Sequence, residues 1–170
     1  MKLELHKAYL LLGTNEGDRV NNLAIAEKII TEQIGKIIAQ SSLYETAAWG
    51  KTDQPDFLNR AILIETYLSA KQLLISLLAI EKEMGRVRLE KWGQRLIDLD
   101  IIFYEDLVCE DLILNLPHPE MHKRKFVLVP LCEIAPKLIH PKLQLSINEI
   151  LNNLDDNLEV KKYKTNFKHD

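Results

Sequence analysis

The chain has 170 residues, of which 46% are hydrophobic and 28% charged, so its composition is that of a globular protein and excludes a largely disordered chain. Its net charge of -3 and pI near 6.0 give no overall electrostatic reason to expect a nucleic acid or an anionic membrane as a partner. The chain shows neither a signal peptide nor an apolar run of about 18 residues, so we expect one cytoplasmic domain over residues 1–170.

The first part of the chain predicts a strand, a helix and two more extended segments. Residues 8–12 (AYLLL) are typical of a buried strand, which Gly13 and the polar residues TNEGDR would end. Apolar residues recur at helical spacing from 21 to 34, and Gly35 would end that helix. Residues 36–46 and 59–67 look extended, and the polar segment AAWGKTDQPDF between them is long enough to suggest a functional loop.

A second helix and a further strand follow. Ser69 and Gln72 form a capping box, and an apolar stripe predicts a helix that ends at Gly85. A polar, basic loop over 86–95 leads to a strand over 97–103. This order predicts the split βαβ arrangement of ferredoxin-like α+β folds, with helices packed on a mostly antiparallel sheet. Beyond residue 104 we expect short strands over 107–114, a turn over 116–121, a short helix over 126–134 and a weakly patterned tail.

Two aspartates interrupt the apolar strand in KWGQRLIDLDI, residues 91–101. Because successive side chains of a strand point to opposite faces, Asp98 and Asp100 would share one face. Acidic residues are disfavoured in strands and are almost never buried unless they are paired or bind a metal. The pattern therefore predicts either a salt-bridged pair at a strand end or a Mg²⁺ site, since one or two carboxylates plus substrate phosphates usually hold this ion.

The basic loop before the aspartates carries four cations, Arg86, Arg88, Lys91 and Arg95. A solvated loop is the ordinary interpretation of such a segment. However, cations that bind phosphate oxygens beside carboxylates that bind a metal are the two parts that phosphoryl transfer requires. Trp92 in the same loop would either pack or close over a ligand. The segments GTNEGDR and LLGTNEG match neither the Walker A nor the GxGxxG pattern.

Other polar and aromatic residues are ambiguous by themselves. His118 lies between two prolines and, taken alone, would usually be structural, while Phe57, Asn59 and Phe126 would pass as turn and core residues. Cys109 and Cys132 have no metal-ligand spacing, which favours buried thiols in a reducing compartment.

Six segments, taken in order, resemble the 6-hydroxymethyl-7,8-dihydropterin pyrophosphokinase family of folate biosynthesis: LLGTN (11–15), DQPDFLN (53–59), GRVR (85–88), WGQRLIDLDI (92–101), LPHPEM (116–121) and EIAP (133–136). Their order and spacing match over nearly the whole chain, and WGQRLIDLDI is the most specific of them. The resemblance implies a monomer that transfers pyrophosphate from ATP, the co-substrate, to the hydroxymethyl group of the pterin and releases AMP. It also implies two Mg²⁺ ions, mobile loops over the site, and no nucleic acid or membrane as a partner.

The resemblance also implies roles for individual residues. The catalytic residues would be Arg86, Arg95, Asp98 and Asp100, with both aspartates as metal ligands. The nucleotide would contact Glu81, Arg88, Trp92, Ile101, His118 and Arg124. The pterin would lie between the rings of Phe57 and Phe126 and contact Thr46, Trp49, Asn59 and Asp98.

Four positions depart from the family pattern. Ala47 and Ala48 replace prolines before the pterin loop and Gln94 replaces a proline in the basic loop, which would leave both loops less preorganised. Leu78 replaces a glutamine on the second helix and would remove one hydrogen bond to the nucleotide. Two other functions are consistent with parts of the pattern: a metal-dependent phosphohydrolase that uses the same aspartates, and a ferredoxin-like RNA-binding module. The strands lack the aromatic RNP1 pattern of that module.

Overall fold

The computed structural model describes residues 3–47, 55–85 and 96–164. The described helices and strands are, in chain order, β1 (His6–Thr14), α1 (Arg19–Gln33), β2 (Gly35–Gln40), β3 (Tyr44–Thr46), β4 (Phe57–Thr66), α2 (Ala70–Glu83), β5 (Asp98–Tyr104), β6 (Cys109–Glu110), β7 (Asn115–Leu116), a 3-10 helix (Met121–Lys123), α3 (Lys125–Ile134), α4 (Ile147–Asn152) and β8 (Val160–Lys162).

The main sheet has six strands in the order β5-β1-β4-β3-β8, with β2 also paired to β4. Every pairing in it is antiparallel, and β1 lies between β4 and β5. The first five predicted elements and the strand of the aspartates therefore form the split βαβ unit, which confirms the ferredoxin-like α+β fold. A second, two-stranded sheet pairs β6 with β7.

Helices cover both faces of the main sheet. On one face, here called the α1–α2 face, Leu10, Leu12 and Ile62 pack with residues of α1 and α2. On the other, here called the α3 face, Leu11 and Ala61 pack with residues of α3 and α4. Neighbouring residues of β1 thus contribute to different clusters, as the two-residue period of a strand requires.

Both long helices begin at a side-chain cap. The side chain of Asp18 accepts a hydrogen bond from the backbone N–H of Asn21 at the start of α1, and Ser69 and Gln72 form the predicted capping box of α2. These contacts satisfy N–H groups that have no partner within the helix.

The two glycines expected to end elements have different roles. Gly13 lies inside β1, which continues to Thr14, so the prediction that Gly13 ends this strand is wrong. Gly35 follows the end of α1 as predicted, yet it is already the first residue of β2. A Cβ at Gly35 would overlap the backbone carbonyl of Glu65, so this position needs glycine for close approach of two strands.

The remaining differences lie in short or distant elements. The extended segment over 36–46 is divided into β2 and β3, because Ser41 leaves the strand and its side chain accepts a hydrogen bond from the N–H of Ala61. The tail contains α4, whose capping box is formed by Ser146 and Glu149, and β8, which pairs with β3. Cys109 and Cys132 are free thiols that are only partly buried. Among the described helices, none combines the length and apolar character that crossing a membrane requires.

Candidate active site

The candidate site lies at one end of the main sheet. Strand β1 ends there, while β4 and β5 begin there, because both are antiparallel to β1. The last residue of β3, Thr46, is paired with the first residue of β4, Phe57. The topology therefore brings four strand ends together. Six of the ten predicted site residues that the structure describes lie on them, namely Thr46, Phe57, Asn59, Asp98, Asp100 and Ile101.

The two aspartates of β5 point to the α3 face of the sheet. Asp98 lies opposite Gly13, and Asp100 lies opposite Leu11, which packs in the cluster of α3 and α4. Because directly opposed residues of antiparallel strands share a face, both carboxylates lie on the side of Leu11. Leu99, between them, is 4% exposed and belongs to the opposite cluster, whereas Asp98 is half-buried and Asp100 exposed.

A row of paired residues connects the aspartates to the predicted pterin side. Gly13 lies opposite Asp98 on one side and opposite Asn59 on the other. A Cβ at Gly13 would lie 2.5 Å from the Asn59 Oδ1, so the amide of Asn59 covers the space that glycine leaves. Asn59 and Asp98 thus share a face two strands apart, or about 10 Å between their Cα atoms at ordinary strand spacing.

The other predicted pterin residues lie on the same face. Phe57 is two residues from Asn59 on β4 and is partly buried. Thr46, opposite Phe57, is 3% exposed, and its Oγ1 is buried without a hydrogen-bond partner among the described residues. An unsatisfied buried hydroxyl is costly in a folded protein, so it fits a position that a polar ligand completes.

Phe126 and Arg124 approach this face from α3. Phe126 is partly buried against the α3–α4 cluster, and the Arg124 Cζ lies 5.8 Å from the centroid of its ring. Such a distance allows a cation–π contact, which orients the guanidinium. A predicted nucleotide residue and a predicted pterin residue are therefore in direct contact.

His118 is held in one orientation. Its backbone N–H donates to the carbonyl of Ile102 on β5 at 3.0 Å, and its Nδ1 accepts from the N–H of Glu120 at 3.2 Å. Burial first, and then the charge of Arg124, lower the pKa of His118, against a smaller opposing effect of Glu120. At neutral pH the imidazole is therefore uncharged, and its Nε2–H is the available donor.

Two predicted nucleotide residues do not point to the α3 face. Ile101 is 6% exposed and packs in the α1–α2 cluster, so only its backbone is available to a ligand at the α3 face. Glu81 is 4% exposed and lies on the buried side of α2, in the last turn of this helix. Leu78, one of the departures from the family pattern, is 51% exposed on α2.

Five predicted site residues, Trp49, Arg86, Arg88, Trp92 and Arg95, lie outside the described residues, as do Ala48 and Gln94. Their predicted roles are therefore neither supported nor opposed by the structure.

The donors available for a metal ion are the two carboxylates of β5. Within residues 3–47, 55–85 and 96–164, no cluster of three or more histidine, cysteine, aspartate or glutamate side chains could hold a metal. A pair of carboxylates suits Mg²⁺ that takes its other ligands from water and substrate phosphates, rather than an ion enclosed by protein groups alone.

Two residues near the site were not identified from the sequence. The first is Arg19, at the start of α1, whose Nη1 donates to the Glu45 Oε2 at 2.6 Å and to the Asp56 carbonyl at 2.8 Å. The second is Glu133 of α3, which accepts hydrogen bonds from the Tyr44 hydroxyl and the Ser42 N–H, both at 2.6 Å. The segments GTNEGDR and EIAP contained both residues, but only the fold shows which strands they contact.

Tyr44 and Glu133 alter each other's ionisation. Burial raises the pKa of Tyr44, and the hydrogen bond and charge of Glu133 raise it further. Burial by itself would raise the pKa of Glu133, but the hydrogen bonds from Tyr44 and Ser42 and the charge of Lys162 outweigh burial and leave that pKa lowered. The pair is therefore a neutral phenol donating to a carboxylate at neutral pH.

The sequence matches proteins of one family over most of its length. The model of the 7,8-dihydro-6-hydroxymethylpterin-pyrophosphokinase family matches residues 9–136. A 2-amino-4-hydroxy-6-hydroxymethyldihydropteridine pyrophosphokinase of Synechocystis is 44% identical over 154 residues, 89% of this chain and 78% of that protein. The enzyme of the same name from Haemophilus influenzae is 41% identical over 155 residues, 91% of this chain and 96% of that protein.

Longer proteins contain a similar region. The folic acid synthesis protein fol1 of Schizosaccharomyces pombe is 40% identical over 148 residues, which cover 86% of this chain but 20% of fol1. The crystal structure of Plasmodium falciparum HPPK-DHPS with pterin and p-hydroxybenzoate has a TM-score of 0.71 at 19% identity and covers 88% of this chain and 42% of that one. The chain thus spans less than half of that Plasmodium chain, and this likeness supports the fold alone. From the family match and the relatives above 40% identity, the chain belongs to the 7,8-dihydro-6-hydroxymethylpterin-pyrophosphokinase family.

Proposed function

We propose that this chain transfers the pyrophosphoryl group of ATP to the hydroxymethyl group of 6-hydroxymethyl-7,8-dihydropterin, a step of folate synthesis. The hydroxymethyl oxygen attacks the β-phosphorus, and a new O–P bond forms there. The bond between the β-phosphorus and the oxygen that bridges it to the α-phosphorus breaks, and AMP leaves with that oxygen. The hydroxyl proton is lost to an acceptor, for which an aspartate and solvent water are candidates.

One observation carries this proposal beyond the family match: Asp98, Gly13 and Asn59 form a row of opposed residues on one face of the sheet. The row separates an acidic end at β5 from an amide end at β4. A triphosphate with its counter-ions suits the first, and the edge of a flat heterocycle suits the second. Both substrates would therefore meet above Gly13, where the nearest side chain to a Cβ at this position is, among the described residues, the amide of Asn59.

We further propose that Asp98 and Asp100 hold two Mg²⁺ ions. Their side chains share a face, and the exposure of Asp100 leaves room for ligands from the nucleotide and water. Mg²⁺ held by these two carboxylates would supply positive charge to the phosphate oxygens.

The remaining residues are proposed to bind and orient the substrates. Arg124 and the Nε2–H of His118 supply a cation and a neutral donor for phosphate oxygens. Phe57 and Phe126 offer aromatic faces to the pterin, and the buried hydroxyl of Thr46 and the amide of Asn59 offer polar groups. The resemblance assigns Arg86 and Arg95 to the phosphates, Arg88, Trp92, Glu81 and the Ile101 backbone to the nucleotide, and Trp49 to the pterin.

The test is incubation of the protein with MgATP and 6-hydroxymethyl-7,8-dihydropterin, followed by chromatography of the nucleotides. AMP and the pterin diphosphate should appear in equal amounts, and only when both substrates are present. ADP as the main product would contradict the reaction class. Nucleotide breakdown at a comparable rate without the pterin would instead indicate a phosphohydrolase.

A pair of variants connects the reaction to the aspartates. Asp100→Ala should reduce turnover by about 100-fold or more, because stabilisation of phosphate charge by a metal is worth several kcal/mol. Asp106→Ala is the matched control, since Asp106 is an exposed acid just beyond the other end of β5. Normal turnover by Asp100→Ala would count against the metal assignment.

We also propose that residues 1–170 form one domain that acts as a monomer in the cytoplasm. The main sheet has six of the described strands and an apolar cluster on each face, which supports a single folding unit. The free thiols of Cys109 and Cys132 are consistent with a reducing compartment.

A further inference from the structure

We infer that Arg19 is a positioning residue for the pterin: its guanidinium fastens both ends of the segment 47–56 and so fixes Thr46, Phe57 and Asn59 relative to one another. The inference rests on the proposed function, because it assigns these three residues to the pterin. It adds a role for Arg19, the last residue of the segment GTNEGDR, which the reaction itself leaves without one.

The contacts of Arg19 lie on both sides of the segment. Its Nη1 donates to the Oε2 of Glu45, the residue before Thr46, at 2.6 Å. The same nitrogen donates to the carbonyl oxygen of Asp56, the residue before Phe57, at 2.8 Å. Thr46 and Phe57 are themselves paired across β3 and β4, so Arg19 closes the base of a ten-residue segment immediately beside the pterin residues.

Arg19 has a rigid base from which to act. It is the first residue of α1, which begins at the Asp18 cap. Leu23, Ala26 and Ile30 then fix this helix in the α1–α2 cluster with exposures of 1% or less. A side chain on such a helix can hold two loop ends at a constant separation, whereas a partner on a loop could not.

A third contact comes from the far end of the chain. The Cζ of Arg19 lies 5.5 Å from the centroid of the Tyr163 ring, and Tyr163 follows β8, the strand paired with β3. The backbone N–H of Tyr163 donates to the carbonyl of Leu43 at 2.8 Å. The ring thus packs on the guanidinium from a strand that is joined to the same β3, which limits the directions in which Arg19 can move.

The geometry separates the pterin from the nucleotide. The partners of Arg19 flank the ends of β3 and β4. Those residues proposed for ATP and Mg²⁺ that the structure describes lie on β5, near the end of α2, in the turn at His118 and at the start of α3. Loss of Arg19 should therefore weaken pterin binding and leave nucleotide binding almost unchanged. A substitution that only destabilised the fold would weaken both equally.

The experiment measures the two affinities separately by titration calorimetry. The nucleotide is α,β-methylene-ATP with Mg²⁺, which cannot react because the bond to be broken is replaced by a carbon bridge, and the second ligand is 6-hydroxymethyl-7,8-dihydropterin. Arg19→Ala should raise the Kd of the pterin about 5- to 20-fold, the scale of one lost hydrogen bond, and change the Kd of the nucleotide less than about twofold. Arg19→Lys should recover part of the loss, because an ammonium reaches one partner but lacks the planar fork.

The matched comparison is between two carboxylates that each hold one arginine. Glu45→Gln removes the charge opposite Arg19, and Glu27→Gln removes the charge opposite Arg60, an ion pair of 3.0 Å on the α1–α2 side. Only Glu45→Gln should raise the Kd of the pterin, and it provides the test should Arg19→Ala fail to fold. Equal effects of the two glutamine variants, or equal losses of pterin and nucleotide binding in Arg19→Ala, would overturn the inference.

Measurements on the wild-type protein distinguish a failure of the proposed function from a failure of the role inferred for Arg19. If it forms no AMP and binds no dihydropterin, the proposed function fails and this inference fails with it. If it forms AMP at a normal rate and Arg19→Ala keeps the wild-type Kd for the pterin, only the inference fails.

Discussion

At the scale of single residues, Gly13 is the strand position above which both substrates are proposed to meet. It lies between Asp98 and Asn59, and any larger residue would place a Cβ 2.5 Å from the Asn59 Oδ1. Contacts that short do not occur, so the amide would have to move. The glycine is thus required by the neighbouring side chain, whereas its backbone would accept other residues.

The corresponding prediction is that Gly13→Ala displaces the Asn59 amide and raises the KM for the dihydropterin. We expect an increase of about tenfold, which corresponds to one net hydrogen bond of about 1.4 kcal/mol. The KM for MgATP should stay within about twofold, because the three described atoms nearest to the new Cβ belong to Asn59 and Leu58, and neither residue is proposed to bind the nucleotide. Steady-state kinetics with each substrate varied in turn gives both values.

Gly35→Ala is the control for this substitution. Its Cβ would overlap the Glu65 carbonyl at the far end of β4, so the strands must separate there. The expected result is a loss of about 1–3 kcal/mol in the free energy of unfolding, the usual cost of overpacking, with both KM values unchanged. An unchanged KM for the dihydropterin in Gly13→Ala would show that the pterin does not bind beside the Asn59 amide.

At the scale of elements, the C-terminal end of α3 is fastened to the strand that carries Thr46. Glu133 receives the Tyr44 hydroxyl and the Ser42 N–H at 2.6 Å each, and the Lys162 Nζ lies 3.9 Å from it. One carboxylate thereby joins α3, β3 and β8. Since Phe126 and Thr46 lie on two of these elements, the contact sets their relative position.

This contact predicts a defined pH dependence of stability. The pKa of Glu133 is lowered in the folded protein, so its contribution is complete above the ordinary glutamate value and is lost as the pH falls through the lowered folded value. At pH 7, Glu133→Gln should reduce the free energy of unfolding by about 1.5–3 kcal/mol, the range for hydrogen bonds to charged groups. Urea titrations at pH 7 and at about pH 3 should show the difference from wild type shrinking in acid.

Tyr44→Phe tests how much the Tyr44 hydroxyl contributes to stability, separately from the charge of Glu133. The carboxylate keeps its hydrogen bond from Ser42, so the variant should lose less stability than Glu133→Gln and should retain part of the acid dependence. A difference between wild type and Glu133→Gln that stayed constant between neutral and acid pH would show that the carboxylate is not preferentially stabilised as an anion.

The sequence predicted the elements whose signals are local. The capping box of α2 and the apolar run of β5 identified these elements to within a few residues. The capping box of Ser146 and Glu149 was also present in the sequence, but α4 has only six residues and little apolar periodicity to accompany it. Strand β8 has three residues and exists because it pairs with β3, more than one hundred positions earlier, which no local pattern reveals.

The same distinction holds for the site. The spacing of Asp98 and Asp100 predicted a shared face, and β5 places them on one. That Asn59 lies in the same row depends on the registers of β1 with β4 and β5, and the burial of Ile101 depends on which face α1 and α2 cover. Likewise, Arg19 and Glu133 acquire their roles only through partners 26 and 89–91 positions away. These are properties of the tertiary fold, so they exceed what spacing along the chain can specify.

At the scale of the whole molecule, the two faces of the main sheet have different roles. The α1–α2 face contributes mainly to stability, and the α3 face carries the residues proposed to bind the substrates. The α1–α2 cluster covers one face along β1, β4 and β5, and the α3–α4 cluster packs on the other. On that second face, Asp98, Asn59 and Thr46 lie at the end of the sheet where β1 finishes. Ligands that bind there should stabilise the folded chain, because the unfolded chain has no site for them.

The final prediction uses this linkage to test the metal. With α,β-methylene-ATP and Mg²⁺ at about 100 times the Kd, the free energy of unfolding should rise by about 2.7 kcal/mol, or roughly 5–10 °C in Tm for a chain of this size. Without Mg²⁺, or in Asp100→Ala with Mg²⁺, the shift should be much smaller, since the triphosphate charge is then not neutralised beside two carboxylates. Asp106→Ala should behave as wild type. A full shift in the presence of a chelator would mean that the nucleotide binds without the ion, and the two aspartates would then have to serve another purpose.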